Sequence, residues 1–210
     1  MALALNDKIG LQQSLTLALN DKNYNFNKET IMAVLQIIYG YKPIFKTKAS
    51  LVGHIDEEIK SIVSDMLDTM YHERAAGLGA NMVGILKRIA VIDLAENGQK
   101  NPICLINPEI VWKSEEMQSI EESSLSFPGV ITGIKRPKSI KVKYLDFSGK
   151  EQEISAAGFL SSVIQHEMDY LDGRTIFDHA SPLKKKMMIK KMEKTLKLNP
   201  PHVHSHHCSH

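Results

Sequence analysis

Two cysteines in 210 residues, Cys104 in an apolar run and Cys208 near the C-terminus, are too few and too differently placed for a disulfide framework. That scarcity points to a reducing, cytoplasmic setting. No apolar run reaches the roughly 20 residues that a membrane-crossing helix needs, so neither a transmembrane segment nor a membrane partner is expected. The opening Met1-Ala2-Leu3-Ala4-Leu5-Asn6-Asp7 has neither the basic start nor the long apolar stretch of a secretory signal. A dominant charge is also missing. The formal net charge is +2, so the molecule as a whole has no strong attraction to nucleic acid or membranes. The lone tryptophan, Trp112, reads as core or rim rather than as a ligand platform.

What is present suffices for one ordinary soluble domain: 43% apolar residues for a core and 24% charged residues for a surface. The string Leu-Ala-Leu-Asn-Asp-Lys occurs at 3–8 and again at 17–22. Two copies are too few for a repeat architecture. Residues 1–32 therefore read as an N-terminal extension, 33–198 as the domain and 199–210 as a His-rich tail. Ile59, Ile62, Val63, Met66, Leu67 and Met70 form one apolar stripe at helical spacing, which predicts a helix over Asp56–Tyr71 with Asp56 as N-cap. Arg88–Leu94, Pro102–Pro108, Ile140–Leu145 and Glu151–Ser155 read as strands, the last two joined by a turn at Phe147–Lys150. A second helix is expected from Ala157 to Leu171, closed by Asp172-Gly173. A third starts at Ser181-Pro182 and stops before Pro200-Pro201. This order describes an α+β domain.

The sharpest local feature is Gln165-His166-Glu167-Met168-Asp169-Tyr170 on the second helix. A His-Glu pair with another ligand one turn later is how a helix presents a metal pair beside a general base. Here the later position is Tyr170, and by itself the pair is equally at home on an ordinary amphipathic helix.

Three segments in order resemble the peptide deformylase family. Ala75-Ala76-Gly77-Leu78-Gly79-Ala80-Asn81-Met82 stands where that family has Gly-x-Gly-x-Ala-Ala-x-Gln. Glu122-Ser123-Ser124-Leu125-Ser126 stands for Glu-Gly-Cys-Leu-Ser, and Gln165–Tyr170 for Gln-His-Glu-x-Asp-His. The likeness runs from about Val34 to Lys197. It implies a deformylase-like α+β fold, with antiparallel or mixed β-sheets around a central motif helix and a C-terminal helix. It further implies a metallohydrolase that removes the formyl group from the N-terminal formyl-methionine of nascent peptides. Family members use iron, or zinc or nickel, held by one cysteine and two histidines.

Carried over residue by residue, His166 would be a metal ligand, Glu167 the general base and Leu125 the backbone donor to the oxyanion. The other positions depart from the pattern. Ser124 replaces the thiolate with a neutral hydroxyl, a much poorer ligand for iron or zinc. Tyr170 replaces the second imidazole with a phenol of pKa about 10. Met82 replaces the glutamine, removing a side-chain donor whose loss costs about 10²–10³-fold in other enzymes. Ser123 for glycine and Gly79 for alanine also change the backbone rules of two motifs. The expectation is a catalytically impaired or inactive homologue with no tightly bound cofactor, residual metal binding remaining open. Two rivals stand beside it: an active metallohydrolase with altered ligands, and a binding protein for ribosomal RNA or nascent peptide.

The tail from His202 to His210 offers nitrogen and sulfur donors, either as an opportunistic metal binder or as ligands that complete a site. His54 and His72 read as ordinary polar residues. Between Leu183 and Leu198 lie seven lysines and one glutamate. They form either a solvated face or, since clustered lysines neutralise phosphates, a surface for the ribosome.

Overall fold

The stripe from Ile59 to Met70 does form a helix, α1 (Glu57–His72), whose N-cap Asp56 accepts a hydrogen bond from the Ile59 N–H at 3.0 Å. A computed structural model describes residues 34–95 and 98–200. The duplicated hexapeptide and the histidines from His202 onward lie outside the described residues.

After α1 come β1 (Gly77–Gly79), β2 (Ile89–Ile92) and β3 (Ile103–Lys113). Next are β4 (Met117–Ser123), β5 (Ile131–Pro137), β6 (Ser139–Leu145) and β7 (Glu151–Ala157). Two helices follow, α2 (Gly158–Leu171) and α3 (Pro182–Leu198). Five strands make one sheet in the order β1-β2-β3-β6-β7, and β4-β5 make a separate hairpin. Every pairing within the two sheets is antiparallel.

The strand expected to end at Pro108 continues to Lys113. Proline cannot donate to the ladder, yet the strand survives because its register shifts between Ile106 and Glu109. Asn107 takes the left-handed conformation (φ 53°) that asparagine tolerates. Its side chain holds the Val52 N–H and C=O at 2.8 Å each. The hairpin β4-β5 has no counterpart among the expected strands. Its inward positions include Thr132 and Arg136, so the usual apolar alternation is broken by polar groups facing the core.

Helix α2 is buried along its whole length from Ser161 to Leu171. Val163, Ile164 and Met168 pack with Leu105, Ile140 and Val142 of the large sheet. Tyr170 joins the other cluster, with Phe45, Phe127, Phe177 and the apolar face of α1. The central position of α2 therefore follows from apolar surfaces on both sides. Gly173 ends the helix at φ +72°, where a Cβ would lie 2.9 Å from the Lys46 carbonyl oxygen, so only glycine fits.

Ser181 caps α3 by accepting from the Lys184 N–H at 3.4 Å. The apolar side of this helix is narrower than its sequence suggests. Met188 and Met192 are buried, but Leu183 and Met187 are exposed. Lys185 does not face freely outward. It pairs with Asp178 at 3.1 Å and lies over the Tyr41 ring. No helix among the described residues is long and apolar enough to cross a membrane.

Candidate functional site

At 3.6 residues per turn, α2 sets His166 and Tyr170 on one face, with ring centroids 5.3 Å apart. Strand β4 brings Glu122 to the same place, and the chain leaving β4 brings Ser124. The Glu122 carboxylate lies 2.8 Å from His166 Nδ1, which directs the other ring nitrogen away from that contact. Arg136 on β5 donates to Glu122 through Nε (2.6 Å) and Nη2 (3.0 Å), and to Asp169 through Nη1 (2.8 Å). Asp169 also pairs with Arg174 and with His179 Nε2. A continuous polar chain thus runs from His166 through Glu122 and Arg136 to Asp169. Sequence reasoning does not reach Arg136 or His179, and it gives Asp169 a place in the motif but no role. An arginine in an alternating strand carries no local sign that it will face inward.

These buried charges set each other's protonation. Burial would raise the carboxyl pKa of Glu122, but hydrogen bonds from Arg136 and His166 outweigh it and hold the group below its ordinary value. Burial would lower His166, yet the Glu122 hydrogen bond and the negative charges of Glu167 and Glu122 outweigh that penalty and raise it. Glu167 behaves differently. It is 3% exposed, and its Oε2 lacks a hydrogen-bond partner. Burial pushes it up to about 7, against the lowering effects of His166 and the Gly79 N–H. Glycine at position 77 permits this placement, because a Cβ there would lie 2.7 Å from Glu167 Oε1.

His166 and Glu167 open onto a cavity of about 280 Å³, also lined by Met82, Leu125, Phe159 and Arg74. The structure therefore brings together Met82, Leu125, Ser124, His166 and Glu167 around one space. Tyr170 is not among its lining residues. Its hydroxyl lies 2.6 Å from Ser124 Oγ, and the ring is fully buried. Phe127 stacks on it at 5.9 Å and Phe45 meets it edge-on at 5.5 Å. Burial, with the nearby carboxylates of Glu167, Glu122 and Asp169, drives the phenol pKa well above its ordinary value despite the bond to Ser124. A phenolate ligand is thereby disfavoured.

The donor set does not fit a tightly held divalent metal. One imidazole remains, while the two other positions of the motif set are a serine hydroxyl and a protonated phenol already bonded to each other. Among the described residues, no three His, Cys, Asp or Glu side chains are grouped so that they could hold one ion.

Comparison with known proteins places this geometry in a family context. The family described as Polypeptide deformylase matches residues 34–186. A protein of Rickettsia conorii described as peptide deformylase-like is 54% identical over 175 residues, covering 83% of this chain and 96% of its own length. The peptide deformylase of Bartonella quintana is 42% identical over 167 residues, or 79% of this chain and 95% of that protein. The crystal structure of peptide deformylase from Ehrlichia chaffeensis matches with a TM-score of 0.75 at 34% identity. It covers 79% of this chain and 98% of that one.

Proposed function

The chain belongs to the peptide deformylase family, and from that premise we propose that it keeps the fold and substrate cavity without metal-dependent deformylation. It would act as a binding protein for short peptide N-termini rather than as a hydrolase. One observation carries this reading: the 2.6 Å hydrogen bond between Ser124 and Tyr170. It joins both altered ligand positions, with the Tyr170 ring packed against Phe127 and Phe45. With Met82 at the glutamine position, the cavity also lacks one side-chain donor for an oxyanion. The groups left around the cavity suit binding: apolar surface from Met82, Leu125 and Phe159, and polar contacts from His166 and Glu167.

The test is hydrolysis of a formyl-methionyl peptide under reducing conditions, with and without added iron or nickel. The expected rate is background in every case, and the purified protein should hold well under one equivalent of metal at His166. Turnover that disappears in Glu167→Ala would overturn the proposal in favour of a metallohydrolase with altered ligands.

A second reading concerns location. Lys184, Lys186, Lys190, Lys191, Lys194 and Lys197 are exposed on α3. Such a row suits contact with ribosomal RNA, which would bring the cavity near emerging chains.

A further inference from the structure

Behind α2, on the side away from His166, lies a second cavity of about 450 Å³. Its wall includes Lys113 of β3, Lys135 and Arg136 of β5, and Lys48, Arg88 and Arg174 from connecting segments. Against these six cations stand three carboxylates, Glu109, Asp169 and Asp172. Two of the three are already engaged: Asp169 by Arg136, Arg174 and His179, and Asp172 by Arg88. Lys48, Lys113 and Lys135 have no ion pair with any described residue, and all three are exposed. The cavity thus combines two buried, ion-paired arginines with three exposed ammonium groups. Arg136 and Arg88 form the wall; they are buried and held by three carboxylates, Glu122, Asp169 and Asp172, and by the Pro108 carbonyl.

We propose that this cavity is a binding site for phosphate groups bearing at least two negative charges, engaged by Lys48, Lys113 and Lys135. The chemistry of the wall selects the class. Lysine ammonium groups are point charges that suit phosphate oxygens. Three of them around one space favour an anion that several can touch together, whereas a single chloride or carboxylate engages one and gains little against solvent screening. The same chemistry could come from a free oligophosphate or from consecutive phosphates of an RNA backbone. The site is separate from the cavity of His166 and Glu167, and does not depend on whether that cavity is catalytic.

Titration calorimetry of inorganic pyrophosphate into the full-length protein tests the proposal. At pH 8 ordinary histidine side chains are neutral and do not contribute. The triple variant Lys48→Gln/Lys113→Gln/Lys135→Gln should bind about tenfold more weakly or worse. The variant Lys184→Gln/Lys186→Gln/Lys190→Gln, on α3, should bind as the parent does. The three cavity lysines are exposed and form no ion pair with any described residue, so circular dichroism and melting temperature should be unchanged in the first variant. Without any variant, parent affinity should fall as sodium chloride rises. A short single-stranded RNA that displaces pyrophosphate would identify backbone phosphate as the source, and failure to displace it would identify a free oligophosphate. No binding of pyrophosphate by the parent, equal affinity in the cavity variant, or a loss confined to the α3 variant would overturn the assignment.

Discussion

Replacing Ser124 with cysteine and Tyr170 with histidine would exchange the hydroxyl pair for a thiol and a second imidazole beside His166. The change has a calculable cost. Tyr170 is fully buried, stacked on Phe127 and edge-on to Phe45. Truncating such a ring to a methyl group costs about 3–5 kcal/mol, and an imidazole restores part of that volume while adding polar nitrogens that need partners, so roughly 2–4 kcal/mol is expected. For a domain of this size each kcal/mol moves the melting temperature by about 2–4 °C, giving a metal-free variant that melts roughly 5–15 °C below the parent. Added nickel or zinc at 100 times its Kd should return about 2.7 kcal/mol, most of the loss. The assay is thermal unfolding of parent and double variant across a metal titration. Metal bound by the histidines after residue 200 affects both proteins alike, so the difference between them reports the site. If the parent gains as much from metal as the variant does, its own donors hold the ion and the fit argument fails. If the variant gains nothing, Ser124 and Tyr170 are not the positions that matter.

Three further outcomes follow from named contacts. Glu167 is raised from 4.5 to about 7 in the fold, so its protonated form favours folding below pH 4.5 and that contribution is lost as pH rises through 7. Glu167→Gln should therefore melt higher than the parent at pH 8, by up to roughly 3 kcal/mol of stability, and nearly equally at pH 4.5, whereas parallel melting curves from pH 4.5 to 8.5 would refute it. Asp178 is held far below its usual pKa despite partial burial, by Lys46, the Thr175 backbone and Lys185, so its contribution is present at neutral pH and lost in strong acid. Asp178→Asn should lower stability by about 1 kcal/mol at pH 7, with the deficit shrinking below pH 4 when unfolding is followed by circular dichroism. For α3, Lys184→Gln/Lys186→Gln/Lys190→Gln should weaken ribosome co-sedimentation and flatten its salt dependence if that face meets RNA. Lys185 is left intact because its ion pair with Asp178 is structural.

Much of the fold could be read from local pattern, and the reasons are specific. The stripe of α1, the cap at Asp56 and the glycine stop at Gly173 are signals contained within a few residues. The three ordered motifs likewise placed Ser124, His166, Glu167 and Met82 around a common site, since motif identity does not depend on knowing the path between segments. The hairpin β4-β5 escaped because its inward face carries Thr132 and Arg136, whose burial makes sense only once Glu122 and Asp169 stand opposite. The extension of β3 past Pro108 is not legible locally because it comes with a register shift against β6 and with Asn107 bonded to Val52, a contact across 55 residues.

By itself, the sequence determined that a serine and a tyrosine stand at 124 and 170, where the motifs it resembles have cysteine and histidine, because side-chain identity is a property of the residue alone. Only the tertiary structure decided what the replacements do. It put the Ser124 hydroxyl within a hydrogen bond of Tyr170, raised Glu167 towards neutrality, and set Lys48, Lys113 and Lys135, which pair with no described carboxylate, around a second cavity. Desolvation and pairing depend on which groups meet across the fold. They are set by distances between segments far apart in the chain, and no local pattern carries those distances.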